Sequence, residues 1–292
     1  MTAVSSTPPT LARLQPTLDA VPGTVSVWCG PPGRPPVYAR LPDEPHYAAS
    51  TMKVAVMAAA YRLAEAGRLD LDAEVLVHDE FPSALGDGTT YRSTADYDND
   101  PQPWERLGRT ARLRWLVRRM IVRSSNLATN LVLERVGMAA VAEVWAAVGA
   151  RRSTVARGIQ DYAAEDAGLS NVVTASDLAA LLAAVYLGAR RSAHGDRALA
   201  SPEACEEMLS NLLAQEVTDD VVRGLPPGTA VAHKNGWVDG IRHSAAVVLP
   251  PDAPAYVLVT CVSAPLGDEE ACDLVARVAA ASWSDRRLVA GS

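Results

Sequence analysis

The stretch Ser50-Thr51-Met52-Lys53, followed by Val54-Ala55-Val56-Met57-Ala58-Ala59-Ala60, joins a hydroxyl and an amine to an apolar run. Almost no polar residue interrupts this run as far as Leu63, which predicts a helix buried on every side. Residues three apart lie on the same face of a helix, so the Ser50 hydroxyl can approach the Lys53 amine. The helix N-terminus and the apolar neighbours both favour loss of the Lys53 proton. The stretch therefore predicts a nucleophile beside a base.

Lysine is scarce in this chain. Of its 27 basic residues, only Lys53 and Lys234 are lysines, and the others are arginines. Arginine stays charged at any working pH, whereas a desolvated lysine can lose its proton and act as a base. We therefore expect a function for both amines.

Lys234 lies in a second short pattern, Lys234-Asn235-Gly236-Trp237, at the end of a strand predicted from Ala230 to His233. A glycine in a strand suggests that another backbone, such as that of a substrate, approaches closely. A third pattern, Ser124-Ser125-Asn126, lies within a helical periodicity that runs from Leu113 to Val136. Polar residues on a buried helix face require a reason, because their desolvation is costly.

Serine-x-x-lysine, serine-x-asparagine and lysine-x-glycine, in this order, resemble the signature of the penicillin-recognising serine enzymes. Within that superfamily the chain is similar to the class A β-lactamases, from about Val25 to the C-terminal helix. The resemblance implies that Ser50 is the acylated nucleophile and Lys53 its base or proton relay. It also implies that Ser124 passes a proton to the leaving nitrogen and that Lys234 binds a substrate carboxylate.

The same resemblance assigns substrate binding to Asn126, Asn235, Gly236 and Trp237. Asn126 would hold a substrate amide. The backbone N–H groups of Ser50 and Trp237 would form the oxyanion hole, where one donor contributes about 3 to 4 kcal/mol.

Two motifs depart from the family pattern. Ser125 stands where the β-lactamases usually have aspartate, and Asn235 stands where threonine or serine usually supplies a hydroxyl to the carboxylate. These departures leave the nucleophile and its bases in place and change the residues around the substrate.

A third departure concerns the carboxylate that activates the deacylating water in class A enzymes. Counted back from Asn171, its position falls near Ile159 or Gln160, and neither side chain can act as a base. Nearby carboxylates that could substitute are Asp161, Glu165 and Asp166, although exposed loop carboxylates are usually only solvated. The sequence therefore predicts weak β-lactam turnover.

Strand patterns at both ends of the chain, with helical patterns between them, predict an α/β (α+β) fold. We expect an antiparallel sheet of about five strands flanked by helices, with an inserted all-helical lobe. The α/β lobe would comprise residues 1–57 plus 173–292, and the helical lobe residues 58–172. The segment Asp79 to Gly108, rich in Gly, Pro and Asp, predicts a long loop whose aromatic residues lie near the cleft.

Charge and composition limit the partners. A net charge of −7 disfavours nucleic acid and anionic membranes, and no apolar run is long enough to cross a bilayer. The first thirty residues lack the pattern of a signal peptide, which predicts a cytoplasmic protein. We expect a small-molecule substrate, no cofactor and no metal. The histidines show no metal-binding spacing: His46, His78, His194, His233 and His243.

The sequence thus predicts a serine hydrolase or acyltransferase that forms an acyl-enzyme at Ser50 from a β-lactam, an amide or an ester. The alternative is a non-catalytic module on the same fold that binds a β-lactam or a peptide. The sequence carries no signal for the oligomeric state.

Overall fold

The computed structural model describes residues 10–190 and 199–289 of the 292-residue chain. The strands are β1 (Thr24–Gly30), β2 (Tyr38–Arg40), β3 (His46–Tyr47), β4 (Glu74–Leu76), β5 (Glu80–Pro82), β6 (Thr90–Arg92), β7 (Thr110–Arg112), β8 (Val172–Val173), β9 (Ala230–Val238), β10 (Ile241–Leu249) and β11 (Tyr256–Ser263). The helices are α1 (Thr10–Arg13), α2 (Gln15–Asp19), α3 (Lys53–Glu65), α4 (Pro101–Trp104), α5 (Leu113–Val122), α6 (Asn126–Val136), α7 (Met138–Ala147), α8 (Tyr162–Asp166), α9 (Ala175–Ala189), α10 (Pro202–Leu213), α11 (Asp268–Ser284) and α12 (Arg286–Val289).

Five antiparallel strands form the main sheet in the order β2-β1-β11-β10-β9. The N-terminal strand β1 pairs with the C-terminal strand β11, with Thr24 opposite Ser263. Both ends of the chain therefore complete one sheet, and the predicted α/β class with about five antiparallel strands is confirmed. Strand β9, which carries Lys234, lies at the edge.

Helices cover both faces of this sheet. Successive side chains of a strand point to opposite faces. Val247 packs into the core that includes Leu181 of α9, whereas its neighbour Val248 packs into the core that includes Val275 of α11. Helix α3 lies in the first core, and its residues from Val54 to Ala60 are almost completely buried, as the apolar run predicted.

The predicted continuous helix from Leu113 to Val136 is wrong. Helix α5 ends at Val122 and α6 begins at Asn126. Ser124 has a φ of +58°, which a continuing right-handed helix excludes. The Ser125 side chain caps α6 by accepting the N–H of Ala128 at 3.1 Å. A helix start is therefore placed beside Ser124.

The segment from Asp79 to Gly108 is more ordered than the predicted loop. It contains the two-stranded pairing of β5 with β6 and the short helix α4. Asp100 caps α4 by accepting the N–H of Gln102, and Pro101 occupies the first turn. These strands are too short and too exposed to show an apolar periodicity. Across the described parts of the chain, the helices are too short or too polar to traverse a lipid bilayer.

Candidate active site

Ser50 lies in a 3-10 turn, Ala49–Met52, that leads directly into α3. The preceding residue, Ala49, has a φ of +43°, a conformation that costs an alanine energy and is often found at functional sites. Ser50 is half-buried and borders a cleft of about 930 Å³. Tyr47, Asn126 and Trp237 also line this cleft, so the predicted nucleophile is accessible to a small molecule.

Gly236 allows the edge strand β9 to approach this turn. A Cβ atom on Gly236 would lie 2.6 Å from the backbone nitrogen of Ser50 and 3.0 Å from that of Thr51. The glycine therefore meets a close backbone, as predicted, and that backbone is the turn that carries Ser50. The approach brings the Ser50 amide next to the strand that continues into Trp237.

The Lys53 side chain is fully buried. Its Nζ donates to the Ser124 carbonyl at 2.7 Å, to Asn126 Oδ1 at 2.8 Å and to Ser124 Oγ at 3.2 Å. Burial lowers the pKa of Lys53 from its usual value to about 7, and the carboxylate of Asp98 opposes part of this shift. The amine therefore exchanges its proton near neutral pH.

The three hydrogens of a charged Lys53 are taken by these acceptors, and no hydrogen bond joins its Nζ to Ser50 Oγ in the described structure. A neutral amine keeps two hydrogens and gains a lone pair. Loss of one proton would therefore allow Lys53 to accept a hydrogen bond from Ser50.

Lys234 approaches the same serine from the sheet. Its fully buried Nζ donates to Ser124 Oγ at 3.0 Å and to the Asn235 carbonyl at 2.8 Å. Burial, followed by the charge of Lys53, holds the pKa of Lys234 well below its usual value. The Ser124 hydroxyl thus accepts hydrogen bonds from both lysines of the chain, and the break between α5 and α6 places it there.

Asp98 is a residue of this site that the sequence reasoning missed. Its carboxylate accepts the N–H groups of Asn126 at 3.0 Å and Leu127 at 2.8 Å. It also accepts the Ser125 hydroxyl at 3.2 Å and the Trp104 indole N–H at 3.0 Å. No local pattern reveals these contacts, because 28 residues separate Asp98 from Asn126.

Trp237 borders the cleft, whereas Asn235 is fully buried. Asn235 Nδ2 donates to Asp220 Oδ2 at 3.2 Å, and Arg242 Nε donates to the same oxygen at 3.0 Å. Arg242 is also buried, with only 3% of its surface exposed. Its guanidinium lies 5.1 Å from the centre of the Trp237 ring and supports this wall of the cleft.

The region of the expected deacylating carboxylate is fixed by hydrogen bonds. Asn130 accepts the Ile159 N–H at 2.8 Å and donates to the Ile159 carbonyl at 2.8 Å. The Gln160 amide exchanges two hydrogen bonds of 3.0 Å with Thr94. Ile159 and Gln160 both border the cleft, and neither side chain can take a proton from water.

The three nearby carboxylates have different surroundings. Asp161 is buried and accepts the Ser83 hydroxyl at 2.8 Å and the N–H of Ala84 at 2.7 Å, so it serves the structure of the loop. Asp166 is exposed. Glu165 borders the cleft but is paired at 2.5 Å with the buried guanidinium of Arg157.

Within residues 10–190 and 199–289, no group of three or more His, Cys, Asp or Glu side chains is arranged to hold a metal ion. His194 lies outside the described residues. His46 and His243 form an edge-to-face ring pair 5.3 Å apart, and burial lowers their pKa values to about 3 and about 4. These two rings are therefore neutral at physiological pH.

Comparisons with known proteins agree with this fold. The chain has 23% identity to a β-lactamase of Sphaerobacter thermophilus, with a TM-score of 0.78 over 96% of this chain and 98% of the other. It has 17% identity to a β-lactamase of Xanthomonas campestris, with a TM-score of 0.75 over 97% and 96% of the two chains. An acyl-enzyme complex of a PBP-A mutant with penicillin G has 19% identity and a TM-score of 0.75, over 95% and 98%.

At these identities the solved structures establish the fold alone. No curated protein matches the chain significantly. The family model described as the Beta-lactamase enzyme family matches residues 10–285, nearly the whole chain. The chain therefore belongs to the Beta-lactamase enzyme family.

Proposed function

We propose that this protein is a serine hydrolase or acyltransferase that forms an acyl-enzyme at Ser50 from a β-lactam, an amide or an ester. One observation carries the proposal: two buried amines converge on the Ser124 hydroxyl, at 3.2 and 3.0 Å, and Asn126, which accepts a hydrogen bond from Lys53, lines the same cleft as Ser50. Burying two amines together is costly, and such sites are typical of catalysis. The family match supports the same chemistry.

In the proposed reaction, neutral Lys53 accepts the proton of Ser50 while Ser50 Oγ attacks the substrate carbonyl carbon. The carbonyl oxygen becomes an oxyanion that the N–H groups of Ser50 and Trp237 bind. The tetrahedral intermediate then expels the leaving nitrogen or oxygen, which takes a proton from Ser124. Lys53, which holds the Ser50 proton, returns it to Ser124 across their hydrogen bond.

We further propose that the acyl-enzyme is hydrolysed slowly. Ile159 lies in the region where class A enzymes place their deacylating glutamate, and the Glu165 carboxylate is neutralised by Arg157. The ion pair directs the Glu165 carboxylate toward Arg157. A water molecule near the ester would therefore lack an efficient proton acceptor.

The test is covalent labelling. We expect a fluorescent penicillin to label the wild-type protein and intact-mass spectrometry to show one adduct that peptide mapping places on Ser50. Ser50→Ala should abolish the adduct, and nitrocefin hydrolysis by the wild type should be slow. Absence of any adduct with penicillins, cephalosporins and activated esters would refute the proposal.

A non-catalytic binding module is the second candidate. One observation favours it: the three hydrogens of charged Lys53 are used by Ser124 and Asn126, which leaves Ser50 without its base in that state. Reversible, stoichiometric binding of penicillin G that is unchanged in Ser50→Ala would support this candidate over the enzyme.

A further inference from the structure

The Ser124-Ser125-Asn126 motif lacks the aspartate that its family pattern places at residue 125, yet a carboxylate occupies its immediate surroundings. We propose that Asp98 supplies that carboxylate from a different segment and acts as a positioning residue, which holds Asn126 and the start of α6 in register for acyl transfer. This inference rests on the proposed function. Asp98 itself would act through Asn126 rather than on the substrate.

The contacts of Asp98 are those of a fixed anchor. Two backbone N–H groups of the first turn of α6, the Ser125 hydroxyl and the Trp104 indole all donate to its two oxygens, at 2.8 to 3.2 Å. A carboxylate at a helix N-terminus also interacts favourably with the helix dipole. Hydrogen bonds to an ionised acceptor are the stronger kind. Asp98 is therefore set to locate α6 and the motif that precedes it.

The anchor connects directly to the candidate catalytic groups. The backbone N–H of Asn126 donates to Asp98. The side chain of Asn126 accepts a hydrogen bond from Lys53 Nζ at 2.8 Å through Oδ1 and donates to the Tyr97 carbonyl through Nδ2. The Ser125 hydroxyl donates to Asp98, and Ser125 directly follows Ser124, whose hydroxyl accepts hydrogen bonds from both lysines. A displacement of Asp98 would thus move a partner of Lys53 and the support of Ser124.

A neighbouring ion pair supplies a structural control for Asp98. Asp100 is buried, caps α4 and accepts two hydrogen bonds from the Arg119 guanidinium, at 2.5 and 2.6 Å. This pair joins the start of α4 to α5, and the Asp98 carboxylate accepts the backbone N–H of Asp100 at 3.2 Å, which Asp100→Asn retains. The Asp100–Arg119 pair contacts neither lysine. A variant that loses this pair therefore shows the effect of lost stability alone, without the effect of a moved catalytic group.

The charge of Asp98 also reaches Lys53. Its carboxylate favours the protonated form of Lys53, whereas burial, followed by the charge of Lys53, lowers the pKa of Lys234, which is packed against the same serine. Behind Lys234, the charges of Asp220 and Arg242 oppose each other. Removal of the Asp98 charge should therefore lower the pKa of Lys53 and shift the acid limb of the acylation profile to lower pH.

The experiment measures the second-order rate of labelling by fluorescent penicillin from pH 5 to 9 in four proteins: wild type, Asp98→Asn, Asp98→Asn with Ser125→Asp, and Asp100→Asn. We expect Asp98→Asn to label about 10- to 100-fold more slowly, the loss typical of a misplaced catalytic group. Its acid limb should move to lower pH. Returning the carboxylate to residue 125 should restore the rate to within about threefold, since Asp also caps a helix well.

The structural control should behave differently. Asp100→Asn should lower the thermal midpoint while the labelling rate per folded molecule and its acid limb stay at the wild-type values. If the wild type is labelled and Asp98→Asn is labelled at the same rate, the inference about Asp98 fails while the proposed function stands. The inference would also fail if Asp98→Asn were labelled slowly, its acid limb stayed at the wild-type pH and Ser125→Asp did not restore the labelling rate.

Two further outcomes are decisive. If Asp98→Asn does not fold, the double variant decides: labelling at the wild-type rate supports the exchange of carboxylates, and a loss above tenfold overturns it. If the wild type itself is never labelled, the proposed function fails and this inference fails with it.

Discussion

Replacement of Gly236 by alanine tests how the edge strand and the Ser50 turn are joined. The new Cβ would lie 2.6 Å from the Ser50 nitrogen and 3.1 Å from the Ala49 Cβ. Restoring an ordinary contact of about 3.5 Å requires the strand and the turn to separate by about 0.9 Å. Strand β9 is paired along its whole length with β10, so most of this movement falls on the turn.

A displacement of this size separates the Ser50 nucleophile and its amide from the rest of the proposed oxyanion hole. Misplacement of a reacting group by 1 Å slows enzymes about 100-fold. This corresponds to about 2.7 kcal/mol of lost transition-state stabilisation. We therefore expect Gly236→Ala to acylate about 100 times more slowly, with most of the loss in the maximal acylation rate rather than in penicillin binding.

The assay is stopped-flow labelling by fluorescent penicillin over a range of concentrations, with thermal unfolding to show that the variant is folded. Gly267→Ala is the matched control, because a Cβ there meets open space and its φ of −64° suits any residue. It should be labelled at the wild-type rate. A folded Gly236→Ala variant that is labelled within threefold of the wild type would refute the close-approach reasoning.

Three more changes test other parts of the site. The acylation rate should rise with pH through about 7 as Lys53 becomes neutral. Lys53→Met should abolish nearly all labelling, and the remaining labelling should lack this pH dependence. The unfolded chain holds this proton to about pH 10.5, so the free energy of unfolding should rise between pH 7 and 10.5, and Lys53→Met should reduce the rise in urea titrations to the part that Lys234, whose pKa is also lowered, contributes. Ile159→Glu should shorten the lifetime of the penicillin adduct at least tenfold in time-resolved mass spectrometry, because a general base contributes about 10² to 10⁴. Asp220→Asn should lower the free energy of unfolding by up to about 3 to 5 kcal/mol, because it removes the buried carboxylate that pairs with Arg242 and leaves only the exposed carboxylate of Asp268, whereas Asp252→Asn at an exposed pair should cost clearly less.

Each expectation has a result that contradicts it. A pH-independent acylation rate would exclude Lys53 as the titrating base. An unchanged adduct lifetime in Ile159→Glu would mean that slow hydrolysis has another cause. Equal losses of stability in Asp220→Asn and Asp252→Asn would show that the buried pair contributes no more than the surface pair.

Local chemistry made several elements predictable from the sequence. The apolar run after Lys53 identified a fully buried helix, since burial on all sides removes the need for a polar face. The strand predicted from Ala230 begins at that residue, although it continues past His233 to Val238. The glycine of Lys234-Asn235-Gly236 predicted a close backbone, and a Cβ there would lie 2.6 Å from the Ser50 nitrogen. Each signal lies within a few residues of the feature it predicts.

Contacts between distant segments were not predictable in this way. The apolar periodicity of α5 continues into α6, so nothing in the pattern marks the left-handed conformation of Ser124 that separates them. Asp98 and Asp220 look like ordinary acidic loop residues in the sequence. Their roles depend on α6 and on Arg242, which only the folded chain brings near them.

The burial of both lysines has a practical consequence for chemical labelling. Lys53 and Lys234 have no solvent-exposed surface, and the chain has no other lysine. Amine-directed reagents should therefore leave the folded protein unmodified except at its terminal amine. The rate at which either lysine is slowly acetylated would then measure local opening between the sheet and α3, and no engineered probe is needed.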